Sequence, residues 1–340
     1  MNPLAADLDH VLAHTQELWE ELRGQRVFIT GGTGFFGCWL LESFAWANDR
    51  LDLQAQAVVL TRNAAAFAQK APHLATHPAV QLHAGDIRSF PFPAGRFSHV
   101  IHAAIDYCAA LELFTGALEG TRRTLDFAVQ SGARRYLLTS SGAVYGRQPP
   151  DLTHMPEDYP GAPDPTQLRS AYGEAKRASE FLCAAFREEH GLQTTIARGF
   201  AFVGPYLPLH EASAIGNFIA DAMKGGPIRV NGDGTPWRSY LYGADLAAWL
   251  WTILLRGSPA RPYNVGSESA FSVSQVAQIV AEEVNPSAEI IVVARPKVGQ
   301  PAERYVPSTR RANAELGLTS WIDMREGVRR TAAWNARLLT

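Results

Sequence analysis

Short apolar runs alternate with longer stretches of helical periodicity between residues 24 and 200. The apolar runs have β-branched or otherwise apolar interiors, as strands buried on both faces should have. Strands are predicted at Arg26–Thr30, Gln56–Thr61, Val80–His83, Ser98–Ala103, Arg135–Ser140 and Thr194–Phe200. The helices predicted between them include Phe35–Trp46, Leu111–Ser131 and Leu168–His190. This alternation predicts an α/β fold, a doubly wound parallel sheet with helices on both faces.

The pattern changes on either side of this region. Residues 1–23 carry leucines and a valine at helical spacing, which predicts one amphipathic helix that packs on its own domain or, alternatively, on another subunit. After residue 201 the alternation is lost, and Gly- and Pro-rich segments such as 204–208 and 232–236 separate shorter helices. We therefore expect a smaller, irregular C-terminal domain over residues 201–340.

Composition places the chain among ordinary globular proteins. Its 340 residues are 46% hydrophobic and 19% charged with a net charge of -2, which favours two unequal domains and gives no reason to expect nucleic acid or a membrane surface as a partner. Three cysteines without metal-ligand spacing predict neither a metal site nor a disulfide framework, and they favour a reducing, cytoplasmic compartment. We expect no signal peptide and no membrane span, because acidic residues interrupt the N-terminal apolar positions and no run approaches ~20 apolar residues.

Three glycines, Gly31, Gly34 and Gly37, stand at regular spacing between the first predicted strand and a helix that opens with Phe35 and Phe36. In this setting such glycines allow a tight turn, a close approach of the backbone to a pyrophosphate, and close packing of helix on strand. The free N–H groups of the helix start would face the phosphates. The pattern predicts a Rossmann-type dinucleotide-binding domain over residues 24–200, with contributions from later segments, followed by a mainly substrate-binding domain.

The end of the second predicted strand bears on the choice of cofactor. A carboxylate there usually binds the ribose 2′-hydroxyl of NAD, but this chain has Arg62 instead. Arg62 is expected to meet the 2′-phosphate of NADP, which slightly favours NADP, or alternatively to stack on adenine from the surface. Asp86, followed by Ile87, is placed to reach the adenine amino group; alternatively it only caps a turn.

A tyrosine, a lysine and a serine form the predicted catalytic centre. Tyr172 and Lys176 are four residues apart in a predicted helix, so both side chains lie on one face. A nearby ammonium lowers the pKa of a phenol by stabilising the phenolate, which makes a tyrosine useful for acid–base catalysis at neutral pH. Ser141, at the end of the fifth strand, is expected to hydrogen-bond the same substrate oxygen.

With these motifs together, the chain resembles the extended short-chain dehydrogenase/reductase family, in its nucleotide-sugar epimerase/dehydratase branch. The likeness runs from about residue 24 to 335. Its matching segments are the turn at Gly31, Gly34 and Gly37, the strand ending at Ala103-Ala104, Ser141 before Val144-Tyr145-Gly146, the pair Tyr172 and Lys176, Gly204-Pro205, Gly232-Asp233-Gly234 with Arg238, and Asp245-Leu246-Ala247.

The resemblance implies hydride transfer with NAD(P). In that scheme Tyr172 exchanges the proton of a sugar hydroxyl, Lys176 holds the nicotinamide ribose and Ser141 orients the hydroxyl or carbonyl. Arg238 would grip the substrate diphosphate, or alternatively pair with Asp233 or Asp245 as a structural residue. The cofactor would contact the glycine turn with Phe35 and Phe36, then Ile87, Ala103 and Ala104. We also expect a homodimer.

The chain departs from the family pattern at three positions. Gly142 and Ala143 stand where the branch's 4,6-dehydratases carry an Asp-Glu pair, which argues against dehydration, and sugar-acid decarboxylases usually have a glutamate at the position of Ala143. Ala201 replaces an asparagine that often contacts the sugar phosphate. These departures favour a nucleotide-sugar 4-epimerase or 4-ketoreductase. The alternatives are a reductase of a non-nucleotide ketone or aldehyde, and a non-catalytic nucleotide-sensing or scaffold protein.

Overall fold

The computed structural model describes residues 2–210, 213–296 and 299–337, and its strands form one large sheet and several small ones. The strands are β1 Arg26–Thr30, β2 Gln56–Thr61, β3 Val80–Ala84, β4 His99–His102, β5 Arg135–Ser141, β6 Gln193–Gly199, β7 Phe202–Val203, β8 Ile228–Val230, β9 Trp237–Ser239, β10 Leu241–Tyr242, β11 Pro262–Val265, β12 Ala270–Ser272, β13 Ile290–Val292 and β14 Arg304–Tyr305. The six strands predicted from the sequence are β1 to β6, and their bounds agree within one residue.

The helices fill the gaps between strands. They are α1 Ala5–Thr15, α2 Phe35–Leu51, α3 Ala64–Lys70, α4 Pro72–Ala75, α5 Ala110–Ser131, α6 Ala171–His190, α7 Ala214–Met223, α8 Gly243–Arg256, α9 Val273–Val284, α10 Arg310–Leu316 and α11 Met324–Arg337, with 3-10 turns at Gln16–Leu22, Gly142–Tyr145 and Leu168–Ser170. Within the described residues, no helix has both the length and the apolar character to cross a membrane.

The N-terminal segment is not the single helix that the sequence predicted. The α-helix α1 ends at Thr15, and the chain continues as a 3-10 helix. The Thr15 hydroxyl donates to the carbonyl of Val11 at 2.6 Å and accepts a hydrogen bond from the Trp19 indole at 2.9 Å. A side chain that bonds its own helix backbone competes with regular helical bonding, which gives a local reason for the change at this residue.

The large sheet has seven strands in the order β11-β6-β5-β4-β1-β2-β3. Every pairing from β3 across to β6 is parallel. The order reverses between β1 and β4, so the loops after these two strands diverge at the carboxyl ends. In doubly wound sheets, ligands bind in the crevice at this switch point.

The interior beside β1 is built from aromatic rings. Phe28 of β1 has ring centroids 4.5 Å from Phe127, 5.4 Å from Phe90 and 5.9 Å from Phe97, and all four rings are buried. Interlocked rings of this kind fix the position of a strand because they leave little room for it to shift. The carboxyl end of β1, where the glycine turn begins, is therefore rigidly supported.

The chain divides into two compact units. The first comprises residues 1–146, 160–199 and 247–263 and contains β1 to β6, with α1 to α6 around them. The second comprises residues 147–159, 200–246 and 264–340 and contains the small sheets β10-β7, β12-β9-β14 and β13-β8. A single boundary near residue 200 would assign residues 147–159 to the first unit and residues 247–263 to the second. The structure places each segment in the other unit.

Candidate active site

The glycine turn lies where the sequence placed it, between β1 and α2. Gly31 has a positive φ of 71°, and a Cβ there would lie 2.5 Å from the main-chain carbon of Ala103. A side chain would therefore be strained in its backbone and would also collide with the end of β4. Gly34 is the exposed N-cap of α2, and Gly37 is buried in the first turn of that helix.

The start of α2 fits a dinucleotide diphosphate. Gly34 carries no side chain, and even an added Cβ would meet no atom closer than Gly31 O at 3.4 Å. In general, the first N–H groups of a helix point away from its body, so a helix start attracts anions. Phe35 and Phe36 are half-buried at this start, with ring centroids 6.0 Å apart.

A buried histidine ties the end of β4 to this turn. His102 Nδ1 lies 2.7 Å from the Thr30 hydroxyl, and its Nε2 lies 3.2 Å from the Thr121 hydroxyl of α5. The same Thr30 oxygen accepts from the amide of Ala104 at 3.3 Å, and Ala103 donates to the Thr30 carbonyl at 3.1 Å. Burial lowers the pKa of His102 to about 3, with a further lowering from a nearby lysine, so the ring is neutral and supports Ala103 and Ala104 without adding charge.

Arg62 follows β2 directly, as predicted, and its guanidinium is paired with a carboxylate. Its two terminal nitrogens lie 2.9 and 2.6 Å from the two oxygens of Asp106, a bidentate arrangement. Both side chains are partly exposed. Sequence analysis did not identify Asp106, which follows β4 and is separated from Arg62 by 44 positions in the chain.

Asp86 makes the bonds of a local turn. One carboxylate oxygen accepts from the backbone amide of Arg88 at 2.9 Å and from its Nε at 2.9 Å. These bonds with Arg88 lower the pKa of Asp86, with a weaker contribution from Arg62. The turn-capping alternative for Asp86 is thus present in the structure, while its contact with adenine stays a prediction. Ile87 packs closely against Gly120 of α5. A Cβ on this glycine would lie 2.8 Å from the Ile87 side chain.

The three predicted catalytic residues come from two elements that pack together. Ser141 is the last residue of β5, and its buried hydroxyl accepts from the Ala143 amide at 3.1 Å. Tyr172 and Lys176 lie one turn apart on α6. A Cβ on Gly173 would lie 2.7 Å from Ala143 O, so α6 packs directly on the backbone that follows Ser141. The fold therefore brings the serine close to the tyrosine–lysine pair.

Lys176 is a buried ammonium with a defined partner. Its Nζ donates to the main-chain oxygen of Thr139 at 2.7 Å and lies 5.9 Å from the centroid of the Tyr172 ring. Burial lowers the pKa of Lys176 to about 8, while the carboxylate of Glu180 acts in the opposite direction. At neutral pH the group is thus a positive charge held beside the phenol, able to stabilise a phenolate and to release its own proton readily.

Two residues beside Tyr172 and Lys176 were missed by sequence analysis. Tyr107, in the segment after β4, stacks on Tyr172 with ring centroids 5.9 Å apart. Glu180 lies one turn beyond Lys176, so its position four residues later was the available signal. Its carboxylate accepts from the Arg198 guanidinium at 2.7 and 3.0 Å. No local sequence feature indicated Tyr107.

Arg238 belongs to the second unit, in the middle of β9. It is half-buried, and its Nη1 donates to the main-chain oxygen of Trp237 at 2.8 Å. The two carboxylates that were its alternative partners accept hydrogen bonds from nearby backbone amides: Asp233 accepts from the Thr235 amide at 3.0 Å, and Asp245 accepts from the Ile322 amide at 3.0 Å. These bonds give the two aspartates structural roles of their own.

Similarity to known proteins now identifies the family. Residues 27–266 match the NAD dependent epimerase/dehydratase family. The chain belongs to this family. It is therefore an NAD(P)-dependent enzyme of the extended short-chain dehydrogenase type, in the nucleotide-sugar branch.

Known relatives support this placement. The UDP-glucuronic acid decarboxylase 5 of Arabidopsis thaliana is 31% identical over 89% of this chain and 87% of its own. Two crystal structures share the fold. The UDP-glucose 4-epimerase of Thermotoga maritima has a TM-score of 0.77 at 19% identity, covering 93% of this chain and 100% of its own. A dTDP-glucose 4,6-dehydratase of Streptomyces venezuelae, solved with NAD bound, has a TM-score of 0.75 at 24% identity, covering 92% and 97%.

Proposed function

We propose that the chain transfers hydride at C4 of a nucleotide-diphosphate sugar, as a 4-epimerase or a 4-ketoreductase. The observation that supports this most directly is the buried Lys176 ammonium, anchored 2.7 Å from Thr139 O and one turn from Tyr172. A charge held in that place prepares the phenol for proton transfer. The nicotinamide cofactor, when bound, supplies the hydride acceptor or donor.

Each residue has a defined part in the proposed reaction. In the oxidising direction Tyr172 takes the proton of the C4 hydroxyl as the hydride leaves the carbon, and in the reducing direction it returns that proton to the C4 oxygen. Ser141 hydrogen-bonds the same oxygen and orients it. Lys176 stabilises the phenolate and holds the nicotinamide ribose. Arg238 would bind the sugar diphosphate by its planar fork of N–H groups.

The residues after Ser141 separate this proposal from dehydration and decarboxylation, two activities named for similar proteins. Gly142 and Ala143 carry no carboxylate that could take or give a further proton beside the sugar. A dehydration needs such groups, so we do not propose one. The similarity to UDP-glucuronic acid decarboxylases makes decarboxylation the second candidate, and the alanine at position 143 weighs against it.

Turnover assays on the purified protein separate these reactions. Incubation with UDP- and dTDP-hexoses should give the C4 epimer without net use of cofactor if the chain is an epimerase. A 4-keto sugar nucleotide reduced with stoichiometric loss of NAD(P)H would identify a ketoreductase. Carbon dioxide released from UDP-glucuronate would instead show a decarboxylase. Reduction of simple ketones alone would point to the non-nucleotide reductase, and absence of all turnover to a non-catalytic protein.

Four further expectations remain proposals. We propose residues 24–200 as the core of the dinucleotide-binding domain and residues 201–340 as mainly substrate-binding. The preference for NADP over NAD rests on Arg62, and the cytoplasmic location rests on cysteine usage. A homodimer is supported by Leu111 of α5 and Phe181 of α6, apolar side chains that are 74% and 72% exposed on two helices that pack against each other. Sedimentation of wild type and Phe181→Lys tests the dimer.

A further inference from the structure

Arg62 and Asp106 lie on opposite sides of β1. Arg62 follows β2 and Asp106 lies four residues beyond the end of β4, and these strands pair with β1 on its two sides. Their bidentate ion pair therefore spans the carboxyl edge of the sheet next to the glycine turn. This is the edge at which the adenosine half of a dinucleotide is expected to bind.

A second arginine–aspartate pair interacts with the first. Asp86 and Arg88, which follow β3, form a second ion pair at 2.9 Å. The charges of the two pairs also act on each other, since Arg62 contributes to lowering the pKa of Asp86 and Asp106 contributes to raising that of Arg88. The two arginines and two aspartates therefore carry no net charge among them. A further cation, Lys70, lies at the glycine turn, where its Nζ donates to Thr33 O at 2.9 Å.

We propose that Asp106 is a cofactor-selectivity residue that opposes Arg62: its carboxylate holds the guanidinium that a 2′-phosphate would need. This inference rests on the proposed binding of the dinucleotide. A dinucleotide with a 2′-hydroxyl leaves the pair intact. One with a 2′-phosphate must take Arg62 away from Asp106 and must also bring its own negative charge close to that carboxylate.

The size of the effect follows from the exposure of the pair. The side chains of Arg62 and Asp106 are 63% and 43% exposed, so the ion pair itself is weak and can be exchanged. The repulsion between a carboxylate and a phosphate that share one arginine is also screened by water, but it is not removed at such short range. The balance between NAD and NADP is therefore adjusted by Asp106 and is not blocked by it.

The test is a titration of NADH and NADPH into wild type, Asp106→Asn, Arg62→Ala and the double variant, followed by fluorescence of the reduced nicotinamide. Asp106→Asn should lower the dissociation constant of NADPH by about 5- to 30-fold, because the competing carboxylate and its charge are removed. The dissociation constant of NADH should change by less than about twofold. The gain should shrink in the Arg62→Ala background, and also at high salt, since exposed charges are screened.

Asp126→Asn is the matched control. Asp126 also pairs with an arginine, Arg122, and has 45% side-chain exposure, but it lies on α5. The Asp126→Asn variant should bind NADH and NADPH with the same affinities as the wild type. Equal weakening of NADH and NADPH by Asp106→Asn, or no change in either, would overturn the selectivity role. If neither cofactor binds any variant, the failure lies instead with the proposed dinucleotide site.

Discussion

The ring of Tyr107 stacks on the ring of Tyr172, with centroids 5.9 Å apart and planes inclined by 27°. Tyr172 is half-buried on α6, whereas Tyr107 is 78% exposed in the segment after β4. An aromatic ring so exposed is stabilised there mainly by its neighbour. The contact restricts the orientation of the phenol that is proposed to transfer the proton.

Replacing Tyr107 should therefore weaken catalysis without unfolding the protein. Tyr107→Ala is expected to lower kcat/KM about 2- to 10-fold, because aromatic pairs contribute roughly 0.5–1.5 kcal/mol beyond burial. Tyr107→Phe keeps the ring and should behave like the wild type. Steady-state kinetics of the three proteins measures this. If the phenylalanine variant is as impaired as the alanine variant, the hydroxyl group and not the stacking is what matters.

Tyr172→Phe should remove most of the activity while leaving the fold and dinucleotide affinity intact. The phenol is the proposed acid–base group, and general acid–base catalysis is typically worth 10²–10⁴ in rate. We expect turnover to fall by roughly 100-fold or more. Cofactor titration and thermal unfolding of the same preparation serve as controls. Wild-type turnover in this variant would remove Tyr172 from the mechanism.

Lys176→Met should change stability in a pH-dependent manner. The folded-state pKa of Lys176 is about 8, below the 10.5 of the unfolded chain, because burial disfavours the charged form. Below pH ~8 both states are protonated and the full cost of burying the charge, ~3 kcal/mol, is present. Between pH ~8 and pH ~10.5 only the unfolded state keeps the proton, so the free energy of unfolding of the wild type rises with pH in this range.

The methionine variant lacks this contribution. It should be more stable than the wild type near pH 7 by up to about 3 kcal/mol, and the difference should shrink towards pH 10, while activity is lost. Urea unfolding of both proteins at the two pH values measures the change. Parallel stability profiles would show that Lys176 is not a costly buried charge.

Arg238→Ala should weaken the binding of a sugar nucleotide but not the binding of the dinucleotide cofactor. A hydrogen bond to a charged group contributes roughly 1.5–3 kcal/mol, so the dissociation constant of a nucleoside diphosphate sugar should rise about 10- to 150-fold. Dinucleotide affinity should barely change, because the glycine turn belongs to the other unit. Calorimetric titration of both ligands tests this. Arg238→Lys should recover only part of the loss, since an ammonium lacks the planar fork.

A folded Arg238→Ala protein with unchanged affinity for sugar nucleotides would contradict the diphosphate assignment. Loss of both ligands together with a lower melting temperature would indicate a structural arginine. The first outcome would move the proposal towards a carbonyl substrate without a nucleotide.

The sequence determined the features that depend on neighbouring residues. Runs of apolar residues located β1 to β6 within one residue, because strands buried on both faces are largely apolar. The edge strand β3 is less buried than the others, and Gln81 is exposed in it. The sequence also placed Tyr172 and Lys176 on one face of α6, since four residues make about one helical turn. The spacing of the glycines indicated the turn at Gly31, where the positive φ and the approach of Ala103 exclude a side chain.

Tertiary structure decided what depends on residues far apart in the chain. No local pattern links Arg62 to Asp106 or Tyr107 to Tyr172, because each pair meets only when the ends of separate elements converge at one edge of the sheet. The sequence predicted that later segments contribute to the dinucleotide-binding domain, but it did not show which segments they are. Residues 247–263 return to the first unit, and a pattern of hydrophobic positions shows that a helix is buried but not which element covers it.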